Sequence, residues 1–287
     1  MTWDIRGKTV LITGATSGIG LQSAVQLSQR GARVVLVGRD PARTEAARAD
    51  VAARGGTGQV DHLLCDFASQ AQIRRLAAEV IERYDRLDVL VNNAGTVHKS
   101  RRLAEDGIEA TFAVNHLGYF LLTNLLRDLL VRGAPARVVN VASVGHRGAT
   151  MDFDDLGYQR GYSIMKAYGR SKLGNVLFSA ELARRLAGTG VTSNALHPGS
   201  VATNIWSGAP VWAKPVIALL IRFSFITPEQ GAERITQLVL DPTLDGVTGQ
   251  YFEEGEPVPP APLAQDEALA KRLWQVSTNL VNGTAPH

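Results

Sequence analysis

Tyr168 and Lys172 stand four residues apart in Ala167-Tyr168-Gly169-Arg170-Ser171-Lys172-Leu173. That spacing stacks two side chains on one face of a helix, one turn apart. A phenol ordinarily ionises near pH ~10. An ammonium held beside it favours the phenolate and draws that value toward neutrality. The hydroxyl can then exchange a proton with a substrate oxygen. Tyr162 and Lys166 repeat the spacing just upstream and are rivals for the role, although the flanking Ser171-Lys172-Leu173 favours the second pair.

A second chemical signal lies near the N-terminus. The apolar run Thr9-Val10-Leu11-Ile12 reads as a strand and leads into Thr13-Gly14-Ala15-Thr16-Ser17-Gly18-Ile19-Gly20, with a helical pattern after it. Glycines let a backbone turn tightly and approach a pyrophosphate, and the helix N-terminus presents free N–H groups to that anion. The spacing G-x-x-x-G-x-G matches the general dinucleotide fingerprint only loosely; its place after the first strand gives it weight. The nucleotide is read at the end of the second strand, Gly38-Arg39-Asp40. A carboxylate there would take the ribose 2′-hydroxyl of NAD, whereas a guanidinium clamps a 2′-phosphate. Arg39 is free for that task and Asp40 is better explained as a helix cap, so NADP(H) is expected, with NAD(H) the second choice.

These groups need a scaffold, and the hydrophobic pattern supplies one. Short β-branched runs alternate with helical stretches, the rhythm of a parallel sheet covered on both faces. After Thr9–Ile12, strands are expected at Arg33–Val37, Gln59–Leu64, Leu87–Val91, Arg137–Val141 and Thr192–Leu196, with Gln250-Tyr251-Phe252 as a last one. Helices are expected over Ile19–Arg30, Pro41–Arg54, Ala71–Tyr84, Thr111–Val131 and Ala167–Leu186, and a turn-rich loop at Pro257–Pro262 precedes a final short helix. Gly31 sits where a C-terminal cap belongs, and Asp40-Pro41 is an N-cap with proline in the first turn. The expected fold is α/β: one Rossmann-type doubly wound domain over residues 1–287.

Bulk properties exclude several classes. Of 287 residues 45% are hydrophobic and 20% charged, and the net charge is only +3. No basic stripe interleaved with aromatics accompanies it, so no nucleic-acid partner is expected. Cys65 is the single cysteine, which rules out an intramolecular disulfide and fits a reducing compartment. His98, His116, His146 and His197 lack metal-ligand spacing, so no metal is expected. Neither a signal-peptide apolar region nor a membrane-length run is present, and Val216–Ile221 ends at Arg222. A cytoplasmic protein without an integral membrane segment is expected. No G-x-S-x-G occurs, which speaks against an α/β-hydrolase.

Taken together, these residues resemble the short-chain dehydrogenase/reductase family over nearly the whole chain. Thr13–Gly20, with Gly14, Thr16, Ser17, Gly18, Ile19 and Gly20, is similar to its cofactor loop. Asp66 in Leu64-Cys65-Asp66-Phe67 matches an adenine-contacting aspartate, and Asn93, Ala94 and Gly95 in Asn92-Asn93-Ala94-Gly95 match a motif beside the cofactor. Asn115, Ser143, Tyr168 and Lys172 match the catalytic tetrad. His197-Pro198-Gly199-Ser200-Val201-Ala202-Thr203 resembles the segment near the nicotinamide, which adds Pro198, Gly199, Val201 and Thr203 to the cofactor contacts.

The resemblance implies that Ser143 hydrogen-bonds a substrate oxygen while Tyr168 exchanges its proton. Lys172 would lower the tyrosine pKa and bind the nicotinamide ribose, and Asn115 would interrupt its helix and hold a water that returns protons to Lys172. Simpler roles stay open for each: Ser143 as a cap, Asn115 as a partner for buried backbone, Lys172 as a solvated helix residue.

Val114–Thr123, Ser171–Phe178 and the stretch from Ser143 to Tyr168 resemble a retinol-dehydrogenase-like branch, several members of which carry an N-terminal membrane anchor not expected here. Residues 204–226, apolar and bearing Trp206 and Trp212, match the family's substrate lid, and 253–287 form a C-terminal extension. A small lipophilic alcohol or carbonyl is the expected substrate. A homo-oligomer is compatible with these features. Two other readings stand beside the oxidoreductase: a catalytically silent NADP-binding regulator or scaffold, and a nucleotide-sugar epimerase, for which little chain remains after Thr203.

Overall fold

The computed structural model describes residues 3–56, 58–199 and 226–284. Its first half alternates strictly: β1 (Thr9–Thr13), α1 (Gly18–Gln29), β2 (Arg33–Gly38), α2 (Pro41–Arg54), β3 (Val60–Leu64), α3 (Gln70–Arg83) and β4 (Val89–Asn92). There follow α4 (Ala110–Phe112), a π-helical turn (Ala113–Leu117), α5 (Gly118–Leu125), α6 (Arg127–Arg132), β5 (Ala136–Val141), α7 (Ile164–Arg185) and β6 (Val191–His197). The chain closes with α8 (Pro228–Leu240), β7 (Tyr251–Glu253), β8 (Glu256–Pro257) and α9 (Glu267–Val281).

One sheet carries all eight strands in the order β3-β2-β1-β4-β5-β6-β7-β8. Every neighbouring pair is parallel except β7 with β8. Side chains of a strand alternate between faces, and the core divides accordingly. Val10, Ile12, Val34, Leu36, Val89 and Val91 pack with α1, α2 and α8. Leu11, Val35, Val37, Leu63, Leu90 and Val138 pack with α3, α5, α7 and α9 on the other side. The doubly wound α/β fold is therefore the one expected. The strand order reverses between β1 and β4, which opens a crevice at the carboxyl ends of these strands.

Local signals hold at several element ends. The Asp40 carboxylate accepts the Arg43 amide hydrogen at 2.8 Å, with Pro41 in the first turn. Gly31 follows α1 at φ +84°, the left-handed geometry of a helix terminus.

Three expectations need correction. The single helix expected over Thr111–Val131 is instead four pieces: α4, the π turn, α5 and α6. At Leu126 the backbone leaves helical geometry (φ −94°, ψ 5°), and a Cβ on Gly118 would stand 2.6 Å from Phe67 Cδ1. Helix α8 was not anticipated at all, although Thr227 and Gln230 form a capping box at its start. The final helix is not short: α9 runs 15 residues and buries Ala270, Leu273, Ser277 and Val281, packing against α7.

Candidate active site

The glycine-rich turn leaves β1 at Gly14 (φ +66°) and enters α1 at Gly18 (φ +57°), both left-handed conformations that favour glycine. Close approach matters as much as turning. A Cβ on Gly14 would lie 2.7 Å from Ala94 Cα, and one on Gly20 would lie 2.5 Å from both Asn93 Nδ2 and the Gly14 oxygen. Asn93 Nδ2 donates to the carbonyls of Thr13 and Gly14 at 2.9 and 3.2 Å. Thr13 Oγ1 in turn accepts the amide hydrogens of Asn93 and Ala94 at 2.9 and 3.0 Å. Asn92–Gly95 thus clamps the turn onto the end of β4.

Above this clamp a cleft of about 420 Å³ opens, lined by Gly14, Thr16, Arg39, Asp66, Ala94 and Gly95 among others. Ser17, Gly18, Ile19, Gly20 and Asn93 do not line it; Gly20 and Asn93 support its floor from below. The Arg39 side chain is 76% exposed and stands 3.8 Å from Asp66 Oδ2, a loose surface pair that leaves the guanidinium free for another anion. Asp66 Oδ1 meanwhile holds the Ala68 amide at 3.0 Å. Arg43 and Arg102 also line the cleft and were missed. Arg43 was legible as the residue one turn beyond Arg39; nothing local marks Arg102. Cys65 lies in the cleft wall, and burial pushes its thiol up to about 12. The residues present fit a dinucleotide: a backbone cradle that a Cβ would fill, with three guanidinium groups lining the cleft.

The second cluster sits at the end of β5. Ser143 Oγ accepts the Gly145 amide hydrogen at 3.1 Å and caps the short helical turn Val144–His146, so the capping reading holds. The Tyr168 ring is close by: a Cβ on Gly145 would meet Tyr168 Cε1 at 3.4 Å and Ser143 Oγ at 3.5 Å. Burial raises the Tyr168 pKa, and the hydrogen bond with Ser143 works in the opposite direction.

Lys172 is buried, and its Nζ lies 5.7 Å from the centre of the Tyr168 ring. It donates to the Val141 carbonyl at 2.8 Å, and burial pushes the ammonium down to about 7. This corrects the expectation of a phenol made acidic by its neighbouring amine. Here the serine hydroxyl favours the phenolate, and desolvation outweighs it. The solvated-helix reading of Lys172 fails.

Asn115 lies inside the π turn. Its Oδ1 accepts the Thr96 amide hydrogen at 2.7 Å, and its Nδ2 donates to the Thr96 carbonyl and to Ser171 Oγ, both at 3.0 Å. Ser171 Oγ passes the chain on to the Tyr168 carbonyl at 2.7 Å. The side chain therefore ties the Thr96 loop to α7.

The rival pair does not assemble: Tyr162 precedes α7 with its hydroxyl on the His98 carbonyl at 2.9 Å, while Lys166 is exposed. Tyr119 is a further group that spacing did not reveal. Its buried hydroxyl has no partner among the described residues, and its ring centre lies 5.9 Å from Lys172 Nζ.

At the end of β6, Gly199 adopts φ +103°, and a Cβ there would stand 2.2 Å from Ile226 Cδ1. Pro198 and Gly199 do not line the cleft of the glycine turn. Val201, Thr203 and the lid segment up to residue 225 lie outside the described residues. Among the described residues no helix is long and apolar enough to cross a membrane.

Known proteins match this arrangement. The short chain dehydrogenase family profile fits residues 8–213. Retinol dehydrogenase 13 of Homo sapiens is 43% identical over 291 residues, covering 98% of this chain and 87% of that protein. Retinol dehydrogenase 14 of Mus musculus is 43% identical, covering 96% and 86%. Among solved structures, an uncharacterised protein of Mycobacterium paratuberculosis superposes with TM-score 0.79 at 32% identity, covering 98% of each chain. The RhlG/NADP active-site complex of Pseudomonas aeruginosa gives TM-score 0.72 at 27% identity, covering 93% of this chain and 98% of that one.

Proposed function

The chain belongs to the short-chain dehydrogenase/reductase family of hydride-transferring oxidoreductases, in its retinol-dehydrogenase-like branch; on that premise we propose that it prefers NADP(H) and acts on a lipophilic carbonyl or alcohol. One observation carries the reading: Ser143 and Tyr168 stand side by side near the end of β5, backed by a buried lysine that has no anionic partner among the described residues.

Cofactor choice follows from the end of β2. Asp40, the carboxylate that would serve a 2′-hydroxyl, is spent on capping α2. Arg39 and Arg43 remain at the cleft and carry the charge a 2′-phosphate requires. Gly14, Thr16, Asp66, Ala94 and Gly95 would hold the adenosine and pyrophosphate, and Lys172, Pro198, Gly199, Val201 and Thr203 the nicotinamide half. A structural neighbour, RhlG of Pseudomonas aeruginosa, is an NADP complex, which supports this choice.

When bound, the nicotinamide supplies or accepts the hydride. The chain's own residues manage the oxygen. In the reductive direction Ser143 donates a hydrogen bond to the substrate oxygen, where negative charge grows, and Tyr168 gives that oxygen its proton. A pre-aimed donor is worth roughly 10²–10³ in rate, and positioned proton transfer about 10²–10⁴. Lys172 orients the ribose, and Asn115 fixes the loop and helix that carry the site.

The substrate class rests on apolar surroundings. Val144, next to Ser143, and Met165, three residues before Tyr168, are both exposed, and the sequence of residues 204–226 is apolar enough for a lid. Relatives named retinol dehydrogenases point to the same class. The deciding assay follows NADPH and NADH oxidation across aliphatic, aromatic, steroid and retinoid carbonyls. Turnover of apolar carbonyls with NADPH favoured is expected. Tight NADPH binding without turnover of any of them would instead establish a silent regulator.

A further inference from the structure

His116 has no part in the chemistry above, yet it is completely buried beside the reaction centre. It occupies the π turn, and the rings of Phe112, Phe120 and Phe178 surround it with centroids 4.9, 6.5 and 6.3 Å away. Its Nε2 lies 2.9 Å from Ser277 Oγ on α9. Among the described residues Nδ1 has no hydrogen-bonded partner. Such orphaned atoms call for an explanation.

Asn175 provides one. It is fully buried on α7, and its Nδ2 donates at 3.3 Å to the Val141 carbonyl, the same oxygen that receives Lys172 Nζ at 2.8 Å. Its Oδ1 is likewise without a hydrogen-bonded partner. Two orphaned polar atoms thus belong to neighbouring side chains, and the amide supports the imidazole's basicity. Gly174 permits the approach, since a Cβ there would lie 2.9 Å from His116 Nδ1. Burial pushes the imidazole down to about 4, so it is neutral at physiological pH and carries one N–H. The Asn175 amide oxygen favours that hydrogen on Nδ1, and Nε2 then accepts from the Ser277 hydroxyl.

We propose that neutral His116, protonated at Nδ1, is a positioning residue for Lys172: it holds the Asn175 amide with its carbonyl toward the imidazole and its NH2 on the Val141 oxygen. The amide orientation matters because a flipped Asn175 would turn a carbonyl oxygen toward the lysine and favour its charged form. The Ser277 contact anchors the imidazole, so α9 reaches the reaction centre through two side chains. This inference rests on the reading of Lys172 as part of that centre. Lys172 is faced by Tyr168 on its own helix, Tyr119 from α5 and the Val141 carbonyl from β5. Burial lowers the Lys172 pKa, and burial lowers that of His116 while the Asn175 amide raises it.

Two isosteric substitutions separate the ends of the ring. His116→Asn places an NH2 near the Nδ1 position and keeps the contact with Asn175; His116→Gln reaches the Nε2 position and keeps only Ser277. The Lys172 side chain is titrated by 13C NMR at Cε in the full-length protein without substrate, and the pH profile of kcat is recorded alongside. His116→Gln is expected to raise the Lys172 midpoint by roughly one pH unit, with the kcat profile moving alongside, while His116→Asn stays near wild type. Equal shifts in the two folded variants, or no shift in either, overturn the proposal. So does an Nε2–H tautomer in the 15N spectrum of the wild-type protein, which decides the matter even where a variant fails to fold. Because the titration needs no turnover, a wild-type protein that oxidises no NADPH would sink the oxidoreductase reading and leave this result separate.

Discussion

Lys172 and Tyr168 share a face of α7, with the amine 5.7 Å from the centre of the phenol ring, yet the amine gives its hydrogen bond to the Val141 carbonyl. Burial drives both groups toward their neutral forms, raising the phenol and lowering the ammonium to about 7. A protonated phenol is the form in which a tyrosine can act as the acid of a carbonyl reduction.

The buried amine makes stability depend on pH. Its ordinary pKa of 10.5 falls to about 7 in the folded protein, so between those values the unfolded chain binds more protons. Stability should therefore rise with pH across that window. Lys172→Met should be more stable than wild type at pH 7, by up to about 4 kcal/mol, with the gap closing toward pH 10.5. Urea unfolding at a series of pH values tests this; a constant gap would contradict it.

Tyr168→Phe removes the proton donor and little else, because phenylalanine keeps the ring. A loss of about 10²–10⁴ in kcat is expected, with the NADPH dissociation constant changed less than about threefold. Single-turnover kinetics and fluorescence titration measure the two quantities. An active variant would displace Tyr168 from its role.

Arg39→Ala and Arg43→Ala should each weaken NADPH by about tenfold, the worth of one charge-assisted hydrogen bond, and leave NADH nearly unchanged. Affinities for both coenzymes would be measured in the two single variants. Equal losses for NADPH and NADH would mean that these side chains act on something other than the 2′-phosphate.

Gly14→Ala combines a left-handed φ of +66° with a methyl 2.7 Å from Ala94 Cα. A loss of roughly 1–3 kcal/mol of stability is expected, together with weakened binding of either coenzyme. Denaturant unfolding and coenzyme titration would show it. A variant with both quantities intact would mean that the turn is looser than its geometry requires.

Much of this architecture is legible locally. The strand pattern, the glycine turn and the Asp40 cap each depend on neighbours in sequence. The Tyr168–Lys172 spacing is equally local, which is why the pair could be placed on one helix face. The destination of the amine was not legible, because the Val141 carbonyl belongs to a strand 31 residues away. Asn115 illustrates the same limit: its partners Thr96 and Ser171 come from two other segments. The π turn lies where the helix brings Asn115 to those partners and His116 to Ser277, a demand no helical periodicity records. Helix α8 is a different case. Thr227-Pro228-Glu229-Gln230 carried its start signal, but the apolar stretch before it drew the reading toward a lid.

The wall of the cleft also bears on how the molecule can be handled. Cys65 is the sole sulfhydryl in the chain, and with a pKa near 12 in its buried setting only about one molecule in 10⁵ carries the reactive thiolate at neutral pH. A cysteine introduced at the surface would be the group that maleimide reagents find first. Fluorophores or spin labels can therefore be set on opposite rims of the crevice, with the native residue left in place.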